Sequence, residues 1–389
     1  MKVLHVIPAV APRYGGPSQA VVGTGRALAQ QGVDVLIATT DADGDGRLPV
    51  ALGVTRDYEG VRTVFFRRQW SESLKYSRPM ALWLNAHVAE FRVVHIHAVF
   101  SHACLAAARA CQWRRVPYVV RPLGSLDPWS LRQKPLRKGL LWHLGARQML
   151  TRAAAVHYTT RAEQRLAEAP LGLRRGVVIP VGIDLEPYQA PADVARFRFR
   201  HPSLGEHPYV LVLGRLHPKK GLELLLEAFF TATADPRLRD WRLLVAGDGD
   251  PAYVAQVRRG IRDRAWDDRV VFSGWLAGAE KLAALQGAAL LALPSHQENF
   301  GQVVVEALAC GVPVLLSQHV NLAEDVQSAG AGWVVRLEPS AIVAGLCDAL
   351  SQPQERQRRG AAGRQLASHF DWARVASQLT SLYGALAAS

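Results

Sequence analysis

The chain has 389 residues, a length that fits two domains of ordinary size. Its 49% apolar residues and mean hydropathy of +0.02 exclude a largely disordered or collagen-like chain. The 46 Lys and Arg exceed the 33 Asp and Glu, and the formal charge of +13 predicts a partner or substrate that carries negative charge.

Strands and helices are predicted to alternate through the first half of the chain. Pro8 and Pro12 interrupt the apolar N-terminus and no small-residue cleavage site follows, so we interpret this segment as a first strand and not as a signal peptide. The order strand, helix, strand is typical of a parallel sheet. The predicted elements are Lys2–Ile7, Ser18–Gln31, Val33–Ala38, Val93–Ile96, Ala103–Trp113 and Tyr118–Val120.

The same alternation begins again after a proline-rich segment that runs from Pro187 to Pro208. The predicted elements of this second half are Tyr209–Leu213, Leu222–Ala234, Trp241–Ala246, Tyr253–Arg264 and Ala289–Leu293. We therefore expect an α/β protein made of two Rossmann-like, doubly wound domains that face each other across a cleft. The expected bounds are 1–188, completed by 372–389, and 189–371.

Glycines follow the first strand of each predicted domain. Gly15 and Gly16 precede the first helix, where a backbone without side chains admits a ligand and the helix amides favour an anion. A tight turn that binds nothing is the alternative. In the second domain Arg215 and Lys220 flank a similar turn, and two such cations suit a diphosphate. A solvated basic turn is the alternative there.

The most specific segment is Pro294–Ala307, in which Glu298 and Glu306 are eight residues apart at the start of a predicted helix. Eight helical positions span at most about 12 Å, which is comparable to the distance between the sugar and the ribose of a nucleotide sugar. The amides of Phe300, Gly301 and Gln302 lie between the two carboxylates, at the positive end of the helix dipole. We expect a diphosphate to bind there.

This Glu-x7-Glu spacing, with Gly-Arg-Leu-x3-Lys-Gly from Gly214 to Gly221 upstream and the early glycine pair, resembles the family-four retaining glycosyltransferases of the GT-B fold (glycosyl transferases group 1). The resemblance extends over essentially the whole chain. Its further landmarks, in order, are 178–184, 245–249, 271–274 and Phe370-Asp371-Trp372, which precedes a helix that in the family crosses back to the first domain.

The resemblance implies a hexosyltransferase-type enzyme that needs neither a metal nor a cofactor, because the nucleotide-diphosphate sugar, of UDP or GDP type, is its substrate. Glu298 would contact the donor sugar, with Arg215 and Lys220 neutralising the departing diphosphate. Gly15 and Gly16 would lie beside the phosphates, Glu306 at the ribose, and Ser273 and Gly274 near the base. The other implied donor-binding residues are Asn299, Phe300, Gly301 and Gln302.

The sequence departs from the family at Arg121, which stands where many members have a histidine. We therefore expect Arg121 to contact a phosphate or carboxylate of the acceptor, or the sugar, with His97 as a weaker substitute. His95, His97 and His102 have no accompanying carboxylate nearby in sequence, so we expect no metal site. Four cysteines without a CxxC pair predict a reducing compartment.

Residues 109–175 hold 14 basic and three acidic side chains, nearly the whole charge imbalance. Cations and large apolar residues on a helix predicted after Pro135 indicate contact with an anionic membrane surface, although a packed helix with solvated charges is the alternative. The surface candidates are Arg132, Lys134, Arg137, Lys138 and Trp142. No run of about 18 uncharged apolar residues exists, so we expect a protein that is cytoplasmic or peripheral on the inner face of the plasma membrane.

Three functions are weighed. The favoured one is a glycosyltransferase of exopolysaccharide or lipopolysaccharide assembly that acts on a glycan or lipid-linked acceptor. Another GT-B activity, such as a sugar-nucleotide epimerase or a phosphorylase, is the enzymatic alternative, and the Glu-x7-Glu spacing disfavours the epimerase. A nucleic-acid-binding protein is suggested by charge alone, without zinc-finger spacing or aromatic RNP-like motifs, so we expect no nucleic-acid partner.

Overall fold

The computed structural model describes residues 1–388 and divides them into two compact units. The first unit is Met1–Gly182 together with the segment from Trp372 onward, and the second is Ile183–Asp371. Each unit contains one large, mostly parallel sheet with helices on its faces. The predicted α/β class with doubly wound sheets is therefore confirmed.

The strands of the first unit follow one another in parallel, except for the edge strand β5 and the small hairpin β3–β4. In the main sheet their order is β10-β9-β8-β7-β1-β2-β6-β5. Their bounds are β1 Lys2–Ala9, β2 Asp34–Thr40, β3 Ala42–Asp43, β4 Gly46–Arg47, β5 Thr55–Tyr58, β6 Val61–Phe66, β7 Val93–His97, β8 Tyr118–Arg121, β9 Ala155–Tyr158 and β10 Gly176–Val178.

The helices of the first unit lie on both faces of this sheet. They are α1 Gly16–Gln30, α2 Arg78–His87, α3 His102–Arg114, α4 Pro128–Arg132, α5 Pro135–Leu141, α6 Arg147–Thr151 and α7 Arg161–Leu171, together with the final helix Trp372–Ala388. A π-helical turn, Trp142–Ala146, joins α5 to α6. Since successive side chains of a strand point to opposite faces, Leu4 and Val6 pack with α2 and α3, whereas Val3 and Ile7 pack with α1 and the final helix.

The basic segment after β8 forms only part of the helix that the sequence predicts after Pro135. Lys134 has a left-handed backbone (φ 53°) and separates α4 from α5, which begins at Pro135. The non-helical backbone of Gly145 (φ 148°) then interrupts the predicted helix between α5 and α6. The cations are therefore spread over two short helices and the turn between them.

The final helix is anchored to the first unit by two close contacts. The indole of Trp372 lies against Gly23 and Gly182, where a Cβ atom would come within 2.4 and 2.0 Å of the ring. Near the other end, the hydroxyl of Tyr383 lies 2.7 Å from Nδ1 of His95 on β7. The predicted return of the C-terminal helix to the first domain is thus confirmed.

The second unit has a six-stranded parallel sheet in the order β13-β12-β11-β14-β15-β16. Its strands are β11 Tyr209–Leu213, β12 Arg242–Ala246, β13 Val270–Gly274, β14 Leu290–Leu293, β15 Val314–Ser317 and β16 Gly332–Val335. Its helices are α8 Glu186–Gln189, α9 Val194–Arg200, α10 Leu222–Ala232, α11 Pro251–Arg262, α12 Gly278–Gln286, α13 Gln302–Ala309, α14 Ala323–Ala329, α15 Pro339–Ser351 and α16 Pro353–Ala367; the final helix is α17.

Each sheet has one point at which the strand order reverses, between β1 and β7 in the first unit and between β11 and β14 in the second. Loops diverge from the carboxyl ends of the strands at such a point, and the crevice that they leave is where open α/β sheets bind ligands. The residues that follow β1, β7, β11 and β14 are therefore the first places to look for a functional site.

Candidate functional site

At the switch point of the second sheet, a lysine from one loop meets a carboxylate from the other. Lys220 follows β11, Glu298 follows β14, and Nζ of the lysine forms an ion pair with Oε2 of the glutamate. The two side chains are only 18% and 16% exposed. A pair so shielded from water interacts more strongly than one on an open surface. The structure thus brings together two residues that the sequence analysis assigned to the donor sugar and to the departing diphosphate.

The backbone on both sides holds this pair in place. The amide of Glu298 donates to the carbonyl of His319 (3.1 Å), and its own carbonyl accepts from the amide of Asn321 (3.0 Å). On the other loop, the amide of Lys220 donates to the carbonyl of His217 (2.8 Å). The loops are therefore fixed by hydrogen bonds and present the two side chains at the carboxyl edge of the sheet.

The start of α13 lies beside Glu298. Gly301 caps the helix in the left-handed region (φ 75°), where a Cβ would lie 3.3 Å from Cγ of Glu298. Within residues 1–388, the amides of Phe300, Gly301 and Gln302 make no hydrogen bond to protein. Unsatisfied amides at the positive end of a helix favour an anion, and the sequence analysis expects a diphosphate at these three. The ring of Phe300 itself is buried and packs edge-on against Phe370.

Glu306 is buried on α13 and has two partners that the sequence analysis missed. Its Oε1 accepts from Nζ of Lys281 on α12 (2.7 Å), and the hydroxyl of Tyr188 on α8 lies beside its carboxylate. Burial and this carboxylate raise the pKa of Tyr188, which stays protonated. The requirement that a buried carboxylate be paired was a signal for such partners, but the sequence does not say which residues they are.

Gly15 and Gly16 lie in the first unit, at the start of α1, where Gly15 has a left-handed φ of 71°. The other predicted donor residues of the second unit lie around the same edge of its sheet. Arg215 is exposed, and its side chain forms no hydrogen bond or ion pair with any other residue of 1–388, so its guanidinium is open to a ligand. Ser273 and Gly274 end β13, and the hydroxyl of Ser273 donates to the carbonyl of Gly274 (3.2 Å). Oδ1 of Asn299 accepts from Asn321 at 3.5 Å.

In the first unit, Arg121 and His97 are neighbours on paired strands and are both buried. Within residues 1–388, Nε of Arg121 and Nδ1 of His97 have no hydrogen-bond partner. Burial lowers the pKa of Arg121 to about 10 and raises that of the nearby Glu163. Both carboxylate oxygens of Glu163 already accept backbone amides, those of Gly124 and Thr159, at 2.7 Å. Arg121 is thus a buried cation that lacks a direct counter-ion.

His97 ends a hydrogen-bonded series of buried imidazoles, and all hydrogen bonds of this series donate in the same direction. Nε2 of His157 lies 2.7 Å from the carbonyl of Ile179, which only accepts, so this nitrogen carries the proton. Burial lowers the pKa of His157 to about 3, and the neutral ring must accept at Nδ1 from Nε2 of His95 (3.2 Å). Nδ1 of His95 then accepts from the hydroxyl of Tyr383.

The same reasoning assigns the donors and acceptors of the remaining hydrogen bonds in this series. The hydroxyl oxygen of Tyr383 is 3.4 Å from Nε2 of His5, which donates to it. Nδ1 of His5, neutral because burial lowers its pKa to about 3, accepts from Nε2 of His97 at 3.0 Å. His5, His95 and His97 bring nitrogen atoms within 4.8 Å of one another, a spacing that a metal ion could use. In the neutral series, however, only Nδ1 of His97 keeps a free lone pair.

The predicted membrane residues occupy different surroundings. Arg132 and Lys134 are exposed, Arg137 and Lys138 are half-buried, and Trp142 packs against the core of the first unit. Three leucines of the same segment are instead exposed: Leu136 (90%), Leu140 (60%) and Leu144 (54%). Within residues 1–388, no helix has both the length and the apolar character that crossing a membrane requires.

Two family models match the chain. Residues 15–182 match the glycosyl transferase 4-like domain, and residues 193–366 match the glycosyl transferases group 1. Among solved structures, the Anabaena protein HepE in complex with UDP and glucose superimposes with a TM-score of 0.78 at 22% identity, over 99% of this chain and all of that one. Sucrose-phosphate synthase from Thermosynechococcus elongatus gives 0.77 at 24% identity, over the whole of both chains.

Curated relatives match over different lengths. A D-inositol 3-phosphate glycosyltransferase of Stackebrandtia nassauensis is 29% identical over 99% of this chain and 90% of its own. A GDP-mannose-dependent alpha-(1-6)-phosphatidylinositol dimannoside mannosyltransferase of Mycobacterium tuberculosis is 30% identical over 56% of this chain and 55% of its own. The chain thus spans about half the length of this mannosyltransferase.

Proposed function

Because the chain belongs to the group 1 glycosyltransferases of the GT-B fold, we propose that it transfers a sugar from a nucleotide-diphosphate sugar, of UDP or GDP type, to a glycan or lipid-linked acceptor. The observation that carries this proposal lies in the second unit. Two lysine-paired carboxylates, Glu298 and Glu306, stand on either side of the free amides at the start of α13.

The charges around this site match the parts of a nucleotide sugar. Hydroxyl groups need acceptors, which Glu298 offers to the sugar and Glu306 to the ribose. The diphosphate needs donors, which the amides at Gly301 and the cations Arg215 and Lys220 provide. When the donor binds, the lysine of each pair stays beside its carboxylate, and the hydroxyl groups of the ligand take up the remaining lone pairs.

The reaction that we propose proceeds with retention and without a bound metal. The bond between the anomeric carbon and the diphosphate oxygen breaks, a bond to the acceptor oxygen forms on the same face, and the acceptor proton passes to the leaving phosphate. Charge accumulates on the leaving diphosphate, so Arg215, Lys220 and the α13 amides act where they stabilise the transition state more than the ground state.

We assign the acceptor to the first unit, where Arg121 and His97 are candidates for contact with it. The unpartnered Nε of Arg121 supports an acceptor that carries a phosphate or carboxylate. The relatives named above act on phosphatidylinositol mannosides and on an inositol phosphate. By analogy, we propose an anionic, lipid-linked acceptor of exopolysaccharide or lipopolysaccharide assembly.

A lipid-linked acceptor requires contact with a membrane, and the exposed leucines offer it. Leu136 and Leu140 are four residues apart on α5 and therefore share one side of it, and Leu144 is exposed in the π-helical turn that follows. Arg132 and Lys134 lie directly before them and are exposed to anionic head groups. We propose that this side of the segment rests on the inner face of the plasma membrane.

A panel of nucleotides and a product analysis test the function. UDP or GDP, with its sugar, should raise the melting temperature, because a ligand that binds only the folded state stabilises it. The retaining reaction should then give a product whose anomeric configuration, read by NMR, equals that of the donor. If no nucleotide in the panel shifts the melting temperature, or if the product is inverted, the proposal is wrong.

A further inference from the structure

We propose that a cavity of about 340 Å³ at the switch point of the first sheet binds a phosphate group of the acceptor. The inference rests on the proposed function, because it concerns the same reaction. The cavity lies between Pro8, within the carboxyl end of β1, and Ala98, directly after β7. Its volume is at the lower end of the roughly 300–1,000 Å³ typical of small-molecule sites.

Four cations from two separate segments line this cavity: Lys75, Lys134, Arg137 and Lys138. Lys75 precedes α2, whereas the others belong to the basic segment after β8. The tertiary fold therefore gathers charges that are about sixty residues apart in sequence. Such convergence around a hollow differs from a row of solvated charges on one helix face.

The cations are only partly compensated. Lys75 pairs with Glu72, but Glu72 is also held by Arg68, so one carboxylate serves two cations. Within residues 1–388, no ion pair is formed by Lys134, Arg137 or Lys138. Their uncompensated charge favours a ligand with at least two negative charges, as a phosphate monoester or a diphosphate has.

Protein contacts hold the cations at the wall of the cavity. The guanidinium of Arg137 donates to the carbonyl of Ser73, and Nζ of Lys138 donates to the carbonyl of Ser130. Nζ of Lys138 also lies 5.5 Å from the centre of the Phe100 ring, which lines the same cavity. Burial lowers the pKa of Lys138, and the neighbouring Arg137 lowers it further. A bound anion would relieve this repulsion between like charges.

The cavity also offers hydroxyl groups and an apolar side. Ser73, Ser101 and Ser125 line it beside the cations, and serine hydroxyls donate to phosphate oxygens. Val99 and Phe100 provide apolar surface for the group that carries the phosphate.

A larger hollow of about 750 Å³ lies at the opposite, amino-terminal edge of the sheet, near Arg92 and Pro117. Open α/β sheets bind their ligands at the carboxyl edge, so this hollow is not the expected site.

The test uses the full-length protein saturated with UDP or GDP, so that the donor site is filled, and titrates inorganic pyrophosphate at low salt by calorimetry. The double variant Arg137→Gln, Lys138→Gln and the single variant Lys75→Gln should each bind pyrophosphate about tenfold more weakly or worse, because each loses a charge-assisted contact. Arg147→Gln, which changes an exposed cation of α6 outside the cavity, should bind as the wild type does. Equal affinity in all four proteins would overturn the proposal.

Nucleotide binding, measured in the same four proteins, separates the two proposals. If it is unchanged, the variants are folded and the loss is local. If no nucleotide binds even the wild type, the proposed function fails, and the pyrophosphate titration without nucleotide still tests the cavity.

Competition then identifies what carries the phosphate. Displacement of pyrophosphate by glucose 1-phosphate assigns a soluble sugar phosphate, and displacement by phosphatidic acid in phosphatidylcholine vesicles assigns a lipid. Displacement by neither would overturn the assignment to an acceptor.

Discussion

The two units place charged side chains at the same point of similar sheets, but they balance the charge differently. In the second unit, Lys220 and Lys281 each pair with a glutamate of the Glu298–Glu306 segment. In the first unit, Arg137 and Lys138 line a cavity and pair with no carboxylate.

This difference in charge pairing indicates which kind of ligand each switch point can bind. The paired carboxylates can accept hydrogen bonds from hydroxyl groups, and the cations and amides beside them can donate to phosphate, which suits a ligand with both a sugar and a diphosphate. Unpaired cations attract an anion and offer no acceptor. Similar folds thus carry two chemistries, a donor site in the second unit and an anion site in the first under the proposals above.

The largest effect is expected when the ion pair between Lys220 and Glu298 in the second unit is broken. Glu298→Gln keeps the size of the side chain but leaves Lys220 without its counter-charge and the sugar without a strong acceptor. Losing one partner of a shielded charge pair costs about 2–5 kcal/mol, so kcat/KM for transfer should fall by about 30-fold to several thousand-fold. Steady-state kinetics with the nucleotide sugar that the panel identifies would measure it.

A matched control for this variant is Glu338→Gln in the same unit, since Glu338 is half-exposed and pairs only with Arg336 at 3.4 Å. It should leave kcat/KM within about twofold of the wild type. Transfer by Glu298→Gln at the rate of this control would contradict the role of Glu298.

The strands and the helix start that position the donor site could be predicted from the sequence, because they depend on local patterns of residues. Buried apolar runs give the strands, and Tyr209–Leu213 is predicted with its observed bounds. The spacing of Glu298 and Glu306 also predicts that the free amides lie between them, because both residues flank the start of one helix. The roles assigned to these residues stay predictions.

What the sequence could not supply are partners that meet only in the folded chain. Lys281 and Tyr188 reach Glu306 from other helices, 25 and 118 residues away. Lys75 joins the basic segment in the same way. The predicted helix after Pro135 is interrupted at Gly145, and Trp142 turns to the core, because tertiary packing of a short segment outweighs its helical periodicity.

A second effect is expected on acidification, and it should be confined to the first unit. His5 and His157 have pKa values lowered to about 3 by burial, so the unfolded chain, with histidine pKa near 6.5, binds protons that the folded chain does not. Stability is therefore complete above pH 6.5 and is lost as the pH falls towards 3, by about 1.4 kcal/mol per pH unit for each histidine. These two alone should cost about 2.5 kcal/mol between pH 7.0 and 5.5.

Neighbouring groups modify this effect without reversing it. Burial also lowers the pKa of His95 and His97, which adds to the loss, and Arg121 acts in the same direction. Burial raises the pKa of Glu163, so its protonation favours the folded state as the pH falls. This one group opposes the loss of stability caused by four histidines. Hydrogen exchange corrected for intrinsic rates should show protection falling in β7 and not in β14, and His157→Gln should reduce the pH dependence. Equal losses in both strands would contradict the assignment.

The smallest effect is expected at the membrane, and it contrasts exposed apolar residues of the two units. The double variant Leu136→Ser, Leu140→Ser should bind vesicles that contain anionic lipid less tightly, by about 1–3 kcal/mol if each side chain is only partly inserted. Phe199→Ser is the matched control, because Phe199 is 86% exposed in the second unit. In vesicle sedimentation at low salt, the control should bind as the wild type does. If the leucine variant also binds as the wild type does, the basic segment serves the acceptor alone.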